Sequence, residues 1–266
     1  MSKGKYYFSK SLDKGMRILS LFNRETPALT QSEIARTLTL NMTSTYRYIN
    51  TLEELGYLEK DPKTKVIRPA IRCLAFCNNL MRASDHQRLI RGVVDGVHAE
   101  HNISIDVAVV VDDTIVRIYH KSAAETLTYR LPDSSDNCLH NTALGKAYLS
   151  SLGYDPLREK LKGLVLQAKT ENTITNEKSL LAELDLARER GYAMNVEEYL
   201  PGLIAIAAPL RDPRSNDGVG AVSFDFSVLQ NDAKAIENSY AGLIRDISGV
   251  LSELIPPYKN TGASAA

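Results

Sequence analysis

The spacing of apolar side chains predicts three helices in the first part of the chain. One helix covers 11–22 with Ser11 as its N-cap, because its apolar residues recur at helical spacing and serine is a favoured cap. A second, short helix opens at Thr30 or Gln31, and a third follows a break and ends at Gly56. The third helix directs three apolar side chains inward: Ile49, Leu52 and Leu55. Two helices joined by a tight turn are typical of a helix-turn-helix.

The segment that follows Gly56 changes to the pattern of a hairpin. Residues 57–69 read as a strand, a turn at Asp61, Pro62 and Lys63, and a second strand. A small hairpin at this place is a wing. The sequence therefore predicts a winged helix-turn-helix at the N-terminus.

After the hairpin, two helical patterns are followed by segments in which apolar residues recur at every second position. One helix runs through Leu74, Phe76 and Leu80, and the next runs through Leu89, Val93 and Val97. Strand patterns follow at 104–111, 114–121, 126–131, 203–210 and 220–226. Helical patterns lie between and after them at about 141–152, 176–190 and 236–254. This order predicts an α+β domain with a mostly antiparallel sheet.

The predicted elements divide the chain into four parts. Residues 1–69 form the winged helix-turn-helix, 70–83 a linker helix, 84–257 a sensor domain and 258–266 a disordered tail. Charge supports a division near residue 72, because residues 1–72 hold 13 Lys and Arg against 7 Asp and Glu, whereas the whole chain holds 32 of each. The N-terminal part should attract a polyanion, and the remainder should not.

Several classes of protein are disfavoured by what the sequence lacks. No run approaches the roughly 18 consecutive apolar residues of a membrane span, and the first residues have no apolar signal segment. We therefore expect a soluble, cytoplasmic protein with no membrane partner. The cysteines at 73, 77 and 138 have no second pair of ligands for a closed zinc site, and no phosphate loop or dinucleotide fingerprint is present. We expect neither a metal nor a cofactor.

An enzyme remains an alternative at this point. Cys138 and His140 lie two residues apart, and Asp106 or Asp136 would complete a hydrolase-type triad. Such triads are assembled by the fold and cannot be read from closeness in sequence, so we expect no catalytic residues. A ligand-sensing or interaction protein without DNA binding is the other alternative.

Three segments, in order, resemble the IclR family of bacterial transcriptional regulators. Residues 29–60, LTQSEIARTLTLNMTSTYRYINTLEELGYLEK, are similar to that family's helix-turn-helix and wing. Residues 139–152, LHNTALGKAYLSSL, are similar to the helix that begins its effector pocket. Residues 188–212, RERGYAMNVEEYLPGLIAIAAPLRD, resemble its signature segment. The resemblance implies a DNA-binding transcriptional regulator with a GAF-like or PAS-like sensor domain, acting as a homodimer or tetramer.

The resemblance and the basic N-terminal part together predict contacts to double-stranded operator DNA. Hydroxyls and a guanidinium at the start of the third helix can reach phosphates and base edges in a major groove. The expected contacts are Thr43, Ser44, Thr45, Tyr46 and Arg47 on this helix, and Lys63, Lys65 and Arg68 on the wing. The wing residues should add affinity without sequence preference. Thr39 and Met42 depart from the family pattern, which has glycine and often lysine there.

The resemblance also implies a pocket for a small organic acid. The matching positions are Ala143, Leu144, Asn195, Ala205, Ser223 and Asp225. A helix N-terminus at Ala143 and Leu144 offers free N–H groups to a carboxylate. Three of the positions depart from the family pattern, with Ala205 for cysteine, Asn195 for aspartate and Asp225 for serine.

These departures predict the character of the effector. Ala205 makes room for a ligand larger than a two- or three-carbon keto acid. An ionised Asp225 would repel a carboxylate about 4 Å away by roughly 4 kcal/mol at an effective dielectric of 20. A ligand that brings a hydroxyl to Asp225 and its carboxylate to the helix N-terminus avoids this conflict. We expect a hydroxylated aromatic acid, with a hydroxylated aliphatic acid or a sugar acid as alternatives.

Overall fold

A computed structural model describes residues 7–23, 26–124, 134–135 and 138–255. The chain divides into two compact units, one that ends at Ser84 and one that begins at Asp85. Each unit has a hydrophobic core of its own.

The helices of the first unit begin at side-chain caps. Helix α1 spans Lys10–Leu19, and its N-cap is Ser9, whose hydroxyl accepts a hydrogen bond from the Leu12 amide at 3.3 Å. The predicted cap at Ser11 and the predicted end at Phe22 are therefore wrong. Helix α2 spans Gln31–Thr37 and starts with a capping box between Thr30 and Glu33. The start predicted at Thr30 or Gln31 is confirmed.

The recognition-helix candidate is α3, Met42–Glu54. It ends as predicted at Gly56, whose φ of 78° lies in the left-handed region that glycine adopts without strain. Ile49 is buried in the core, but Leu55 is exposed. The prediction that Leu55 faces inward is wrong, because Leu55 is the C-cap residue and lies past the last helical turn.

A three-stranded antiparallel sheet completes the winged unit. Strands β1 (Leu29–Thr30), β2 (Leu58–Lys60) and β3 (Val66–Pro69) lie in the order β1-β3-β2. The β2–β3 hairpin is the predicted wing, whereas β1 was not predicted. The core of the unit consists of Ile18, Ile34, Leu38, Ile49, Leu58 and Ile67. Helix α4, Ile71–Ala83, follows the wing.

The second unit is built on a six-stranded antiparallel sheet. It starts with helix α5 (Asp85–His101), after which come β4 (Ser104–Val111), β5 (Thr114–Lys121) and β6 (Ser134–Ser135). Helices α6 (Ala143–Ser151), α7 (Tyr154–Gly163) and α8 (Glu177–Arg190) lead to β7 (Ala193–Val196), β8 (Leu203–Arg211), β9 (Gly218–Ser227) and helix α9 (Ala233–Leu254). The strand order is β6-β5-β4-β9-β8-β7. These elements confirm the predicted α+β fold.

The predicted strands at 104–111, 114–121, 203–210 and 220–226 are confirmed within one or two residues. The predicted strand at 126–131 and the tail after residue 257 lie outside the described residues. The buried residues of α5 are Ile90, Val94 and Val97, whereas Leu89 is exposed. The buried face is therefore offset from the line of Leu89, Val93 and Val97 by which the sequence predicts this helix. Helix α7 and strand β7 were not predicted.

The two faces of this sheet carry different side chains. Large apolar residues on one face pack against α5 and α9, among them Ile105, Ile204, Ile206 and Phe224. The opposite face packs against α6 and carries small residues: Ala108, Ala193, Ala205, Ala207 and Ala221. Alternation of side chains along each strand produces this separation. The alanine face leaves space between the sheet and the start of α6.

Among the described residues, no helix combines the length and the apolar character needed to cross a membrane.

Candidate functional site

The turn between α2 and α3 holds one residue in an uncommon conformation. Thr39 has a φ of 51°, in the left-handed region that a β-branched residue rarely adopts. The turn is fixed by the Leu40 amide, which donates to the Ala35 carbonyl at 2.9 Å. The next helix begins at Asn41, whose side chain accepts from the Ser44 amide at 2.7 Å. The turn thus sets the direction in which α3 leaves.

The start of α3 presents polar side chains on its outer surface. Thr43, Tyr46 and Arg47 are exposed, and Ser44 is half-buried. Thr45 is completely buried, and its hydroxyl donates to the Asn41 carbonyl at 3.0 Å. A buried hydroxyl that is already bonded cannot reach DNA. The prediction that Thr45 contacts DNA is therefore wrong.

The wing presents its basic residues from an ordered turn. The Asp61 carboxylate accepts from the amides of Lys63 and Thr64 at 2.8 and 2.7 Å. These hydrogen bonds, the Thr64 bond first, lower the pKa of Asp61. Lys65 occupies the left-handed region with a φ of 60°. The side chains of Lys63, Lys65 and Arg68 are exposed, as binding to phosphates requires.

A cavity lies in the second unit between the start of α6 and the alanine face of the sheet. Its empty volume is about 230 Å³. The residues around it are Thr142, Ala143, Leu144, Asn195, Tyr199, Leu203, Ala205, Ser223 and Asp225. All the residues expected at the effector pocket are among them. Thr142, Tyr199 and Leu203 were not expected, although threonine is a residue type that caps helices and Thr142 directly precedes α6.

Strand register brings the sheet side of the cavity together. Asn195 on β7 is opposite Ala205 on β8, and Ala205 is opposite Asp225 on β9. Paired residues in antiparallel strands point to the same face, and so does Ser223, two residues before Asp225. Residues far apart in sequence thus form one row across three strands.

The helix side of the cavity is the first turn of α6. Thr142 caps it, accepting from the Gly145 amide at 3.0 Å and donating to the Cys138 carbonyl at 2.6 Å. A Cβ on Gly145 would lie 2.4 Å from the backbone of Leu139, so this close approach requires glycine. The N–H groups of Ala143 and Leu144, at the first helical positions, have no acceptor within the helix.

Asn195 joins the two sides. Its side-chain amide donates to the Asn141 carbonyl, and its oxygen accepts from the Glu198 amide at 3.2 Å. The amide group keeps a second N–H for a ligand. Asn195 therefore holds the start of α6 against β7 as well as lining the cavity.

Asp225 is a buried carboxyl group at the sheet side of the cavity. One oxygen accepts a hydrogen bond from the Ser223 hydroxyl at 3.1 Å. Removal from solvent raises the pKa of Asp225 well above its usual value, and the nearby Asp106 raises it further. The expected repulsion of a ligand carboxylate assumed an ionised Asp225, and the buried position instead favours the protonated form.

Asp106 on β4 does not take part in a catalytic triad. One of its oxygens accepts from Arg117 at 3.2 Å and lies 2.9 Å from a ring nitrogen of His120. His140 instead contacts the Gln167 carbonyl at 3.0 Å, and burial lowers its pKa. Sequence reasoning had placed Asp106 only with Cys138 and His140. A carboxylate within the apolar run of 104–111 was the signal that it is buried and paired.

Two family models match the chain. The family model described as "Bacterial transcriptional regulator IclR C-terminal" matches residues 82–253, and "IclR helix-turn-helix domain" matches residues 11–62. The regulator BhcR of Paracoccus denitrificans is 25% identical to this chain over 96% of it and 91% of its own length. The name of this relative describes a transcriptional regulator.

Two other similar proteins have names that mention hydroxybenzoates. The p-hydroxybenzoate hydroxylase transcriptional activator of Acinetobacter baylyi is 26% identical over 75% of this chain and 74% of its own. An IclR homologue of Microbacterium hydrocarbonoxydans, solved with 4-hydroxybenzoate, superposes with a TM-score of 0.64 at 21% identity, over 92% of this chain and 98% of its own.

Proposed function

The chain belongs to the IclR family of bacterial transcriptional regulators, and from this we propose that α3 and the wing bind operator DNA under the control of a small organic acid in the α6 cavity. The observation that carries the proposal is the cavity itself. On one side lie the N–H groups of Ala143 and Leu144, which have no acceptor within the helix. On the other side lie the polar residues Asn195, Ser223 and Asp225.

The DNA-binding surface consists of exposed residues on two elements. On α3, Thr43, Tyr46 and Arg47 contact bases and phosphates, with Ser44 at their edge. On the wing, Lys63, Lys65 and Arg68 contact phosphates. Their exposure, the bonded turn before α3 and the positive charge of residues 1–72 support this assignment.

The effector binds with its carboxylate at the N–H groups of Ala143 and Leu144, where the positive end of the α6 dipole stabilises an anion. The opposite side of the cavity, with Ser223 and Asp225, suits a hydroxyl group. The cavity is small, which favours a compact ligand with few heavy atoms over a drug-sized one.

A hydroxylated aromatic acid such as 4-hydroxybenzoate meets these requirements. The names of the Acinetobacter activator and of the Microbacterium complex support this class. A hydroxylated aliphatic acid or a sugar acid has the same two polar ends and is the second candidate. The two classes differ in the flat apolar ring that Leu144 and Ala205 would contact.

Operator binding tests the proposal, with the DNA upstream of the chain's own gene as the probe. Arg47→Ala should weaken binding by about 1–3 kcal/mol at fixed salt, because a guanidinium contact to a base or phosphate is lost. Lys178→Ala removes an exposed basic residue of the second unit and serves as the matched control. Fluorescence anisotropy measures each affinity with and without 4-hydroxybenzoate.

We expect 4-hydroxybenzoate to change the operator affinity of the wild-type protein. At 100 times its dissociation constant it should also stabilise the protein by about 2.7 kcal/mol. An unchanged operator affinity for Arg47→Ala would remove the assignment of α3 and favour a sensing protein without DNA binding. Stabilisation by sugar acids alone would favour the second class of effector.

A further inference from the structure

Asp106 and Asp225 lie on neighbouring strands and face the same side of the sheet. Along the β4–β9 pair, Asp106 is opposite Ser223 and Ser104 is opposite Asp225. The two aspartates are therefore diagonal neighbours on one face, a spacing at which side chains meet. Asp106 is close enough to Asp225 to raise its pKa.

Both carboxyl groups are buried, and each keeps one oxygen, Oδ2, without a hydrogen-bond partner in the described part of the chain. Two ionised carboxylates offer only acceptors to each other, so neither can satisfy the other. Buried like charges also disfavour a second ionisation. A single proton held between the groups removes both difficulties, since one carboxyl then donates to the other.

The surrounding side chains decide which group carries the proton. Two residues of β5, Arg117 and His120, contact Asp106, and the other ring nitrogen of His120 lies 2.7 Å from the Ser122 hydroxyl. Among the described residues, Asp225 accepts from the neutral Ser223 hydroxyl, and the charge of Arg117 lowers its pKa less than burial and Asp106 raise it. Arg117 stabilises a negative charge on Asp106, so the proton belongs to Asp225.

Among the described residues, the other elements around this face add no charged group that contacts Asp225. Strands β7 and β8 contribute Asn195 and Ala205. The titratable groups on the α6 side are His140, which is bonded to the Gln167 carbonyl, and Lys146, whose ammonium contacts Glu198 at 2.5 Å and Glu183 at 3.7 Å. Tyr199 lines the cavity, and α5 and α9 pack on the opposite face.

We propose that Asp106 and Asp225 share a single proton, carried on Asp225, and that the cavity presents this neutral carboxyl rather than a carboxylate to its ligand. The second clause rests on the proposed function of the cavity. A protonated pair lets an anionic acid enter, and the Asp225 oxygen that accepts from Ser223 keeps a second lone pair for a ligand hydroxyl. Asp225 is then a specificity-determining residue that selects for the charge of the ligand.

The proton is tested on the ligand-free full-length protein by infrared spectroscopy. At neutral pH we expect the carbonyl band of a buried carboxylic acid, lost in Asp225→Asn and retained in Asp246→Asn, which changes an exposed aspartate of α9. Asp106→Asn should shift the loss of this band to lower pH, because the introduced side-chain amide donates to Asp225 and a negative charge is removed. A wild-type spectrum without the band at neutral pH would overturn the proposal.

Unfolding as a function of pH gives a second readout. Asp225 keeps its proton when folded and loses it when unfolded, so the wild type should lose stability as pH rises above the ordinary range of an aspartate. Asp225→Asn should lack this loss, and Asp246→Asn should keep it. Equal pH slopes for the wild type and Asp225→Asn would contradict the shared proton.

Ligand binding separates this proposal from the function on which it rests. Calorimetric titration with 4-hydroxybenzoate should show the affinity of the wild type falling about tenfold per pH unit once Asp225 ionises. Asp225→Asn should lose that dependence whatever its affinity at neutral pH, and any pH dependence that it keeps belongs to the ligand itself. If the infrared band is present but 4-hydroxybenzoate binds no variant, the shared proton stands and the ligand class is wrong.

Discussion

Thr39 is the residue at which the helix-turn-helix departs most from relaxed backbone geometry. A left-handed conformation costs an L-residue roughly 1–2 kcal/mol relative to its usual one, and Thr39 is β-branched. The turn keeps this conformation because Asn41 must cap α3 and Leu40 must return to Ala35. The strain is therefore imposed by the two helices.

Thr39→Gly should stabilise the protein. Relief of the left-handed strain outweighs the roughly 0.5–1 kcal/mol of chain entropy that glycine costs, which leaves a gain of about 0.5 kcal/mol or more. Thr37→Gly, in the last turn of α2, is the control and should destabilise because its backbone is helical. Urea unfolding measures both, and a loss of stability in both variants would show that Thr39 is not strained.

At the residue scale, sequence and structure agree unevenly. The residues around the cavity were predicted through a resemblance, and strand register then explains why Asn195, Ala205 and Asp225 form a row. The pairing of Asp106 with Arg117 and His120 was not predicted, because it depends on which strands are neighbours. The sequence indicates that the Asp106 carboxylate is buried, but it does not indicate which side chains it contacts.

The helices differ in how clearly the sequence predicts where they begin. The box of Thr30 and Glu33 marks the start of α2 with two residues at fixed spacing. Helix α7 lacks such a signal, because its N-cap Gly153 has no side chain to cap it and Leu157 is its one buried residue. Short helices with a single buried side chain give little periodicity to read.

At the element scale, the wing should bind DNA without reading its sequence. Lys63→Ala and Lys65→Ala should each weaken operator and random DNA equally, because an exposed lysine neutralises a phosphate. Each change should also reduce the slope of log affinity against log salt by about 0.9. Anisotropy at several salt concentrations measures both quantities, and a loss confined to the operator would mean that the wing reads bases.

The whole molecule carries apolar side chains that its own units leave uncovered. On α4, Ile71, Leu74 and Leu80 are 79%, 69% and 56% exposed, and on α1 Leu12 is 66% exposed. A helix with this many exposed apolar residues is typical of an interface. A second copy of the chain is the natural occupant, because one winged unit covers half of a two-fold operator.

We therefore expect a homodimer or a tetramer, with contacts from α1 and α4. Light scattering should give a multiple of the 29.4 kDa chain mass at micromolar concentration. Leu74→Glu should shift the mass toward the monomer, because a charge cannot be buried without a partner. Leu186→Glu changes a comparably exposed leucine of α8 and should leave the mass unchanged. A monomeric wild type would contradict the expectation.

The fold class was predictable at this scale, whereas the order of strands was not. Period-two segments between helices identify a sheet domain, since successive side chains of a strand point to opposite faces. The central place of β4 and β9 depends on long connections that leave no trace in local patterns. Short-range spacing therefore identifies the layers, and only the structure orders them.

The alanine face beneath α6 has an evolutionary consequence. The sheet at Ala193, Ala205, Ala207 and Ala221 is held by strand pairing, so its backbone does not depend on the size of these side chains. Adding a hydroxyl, a sulfur or two methyl groups at Ala205, which lines the cavity, reshapes it in small steps. A duplicated gene can thus drift to a new metabolite while keeping the scaffold that its operator binding requires.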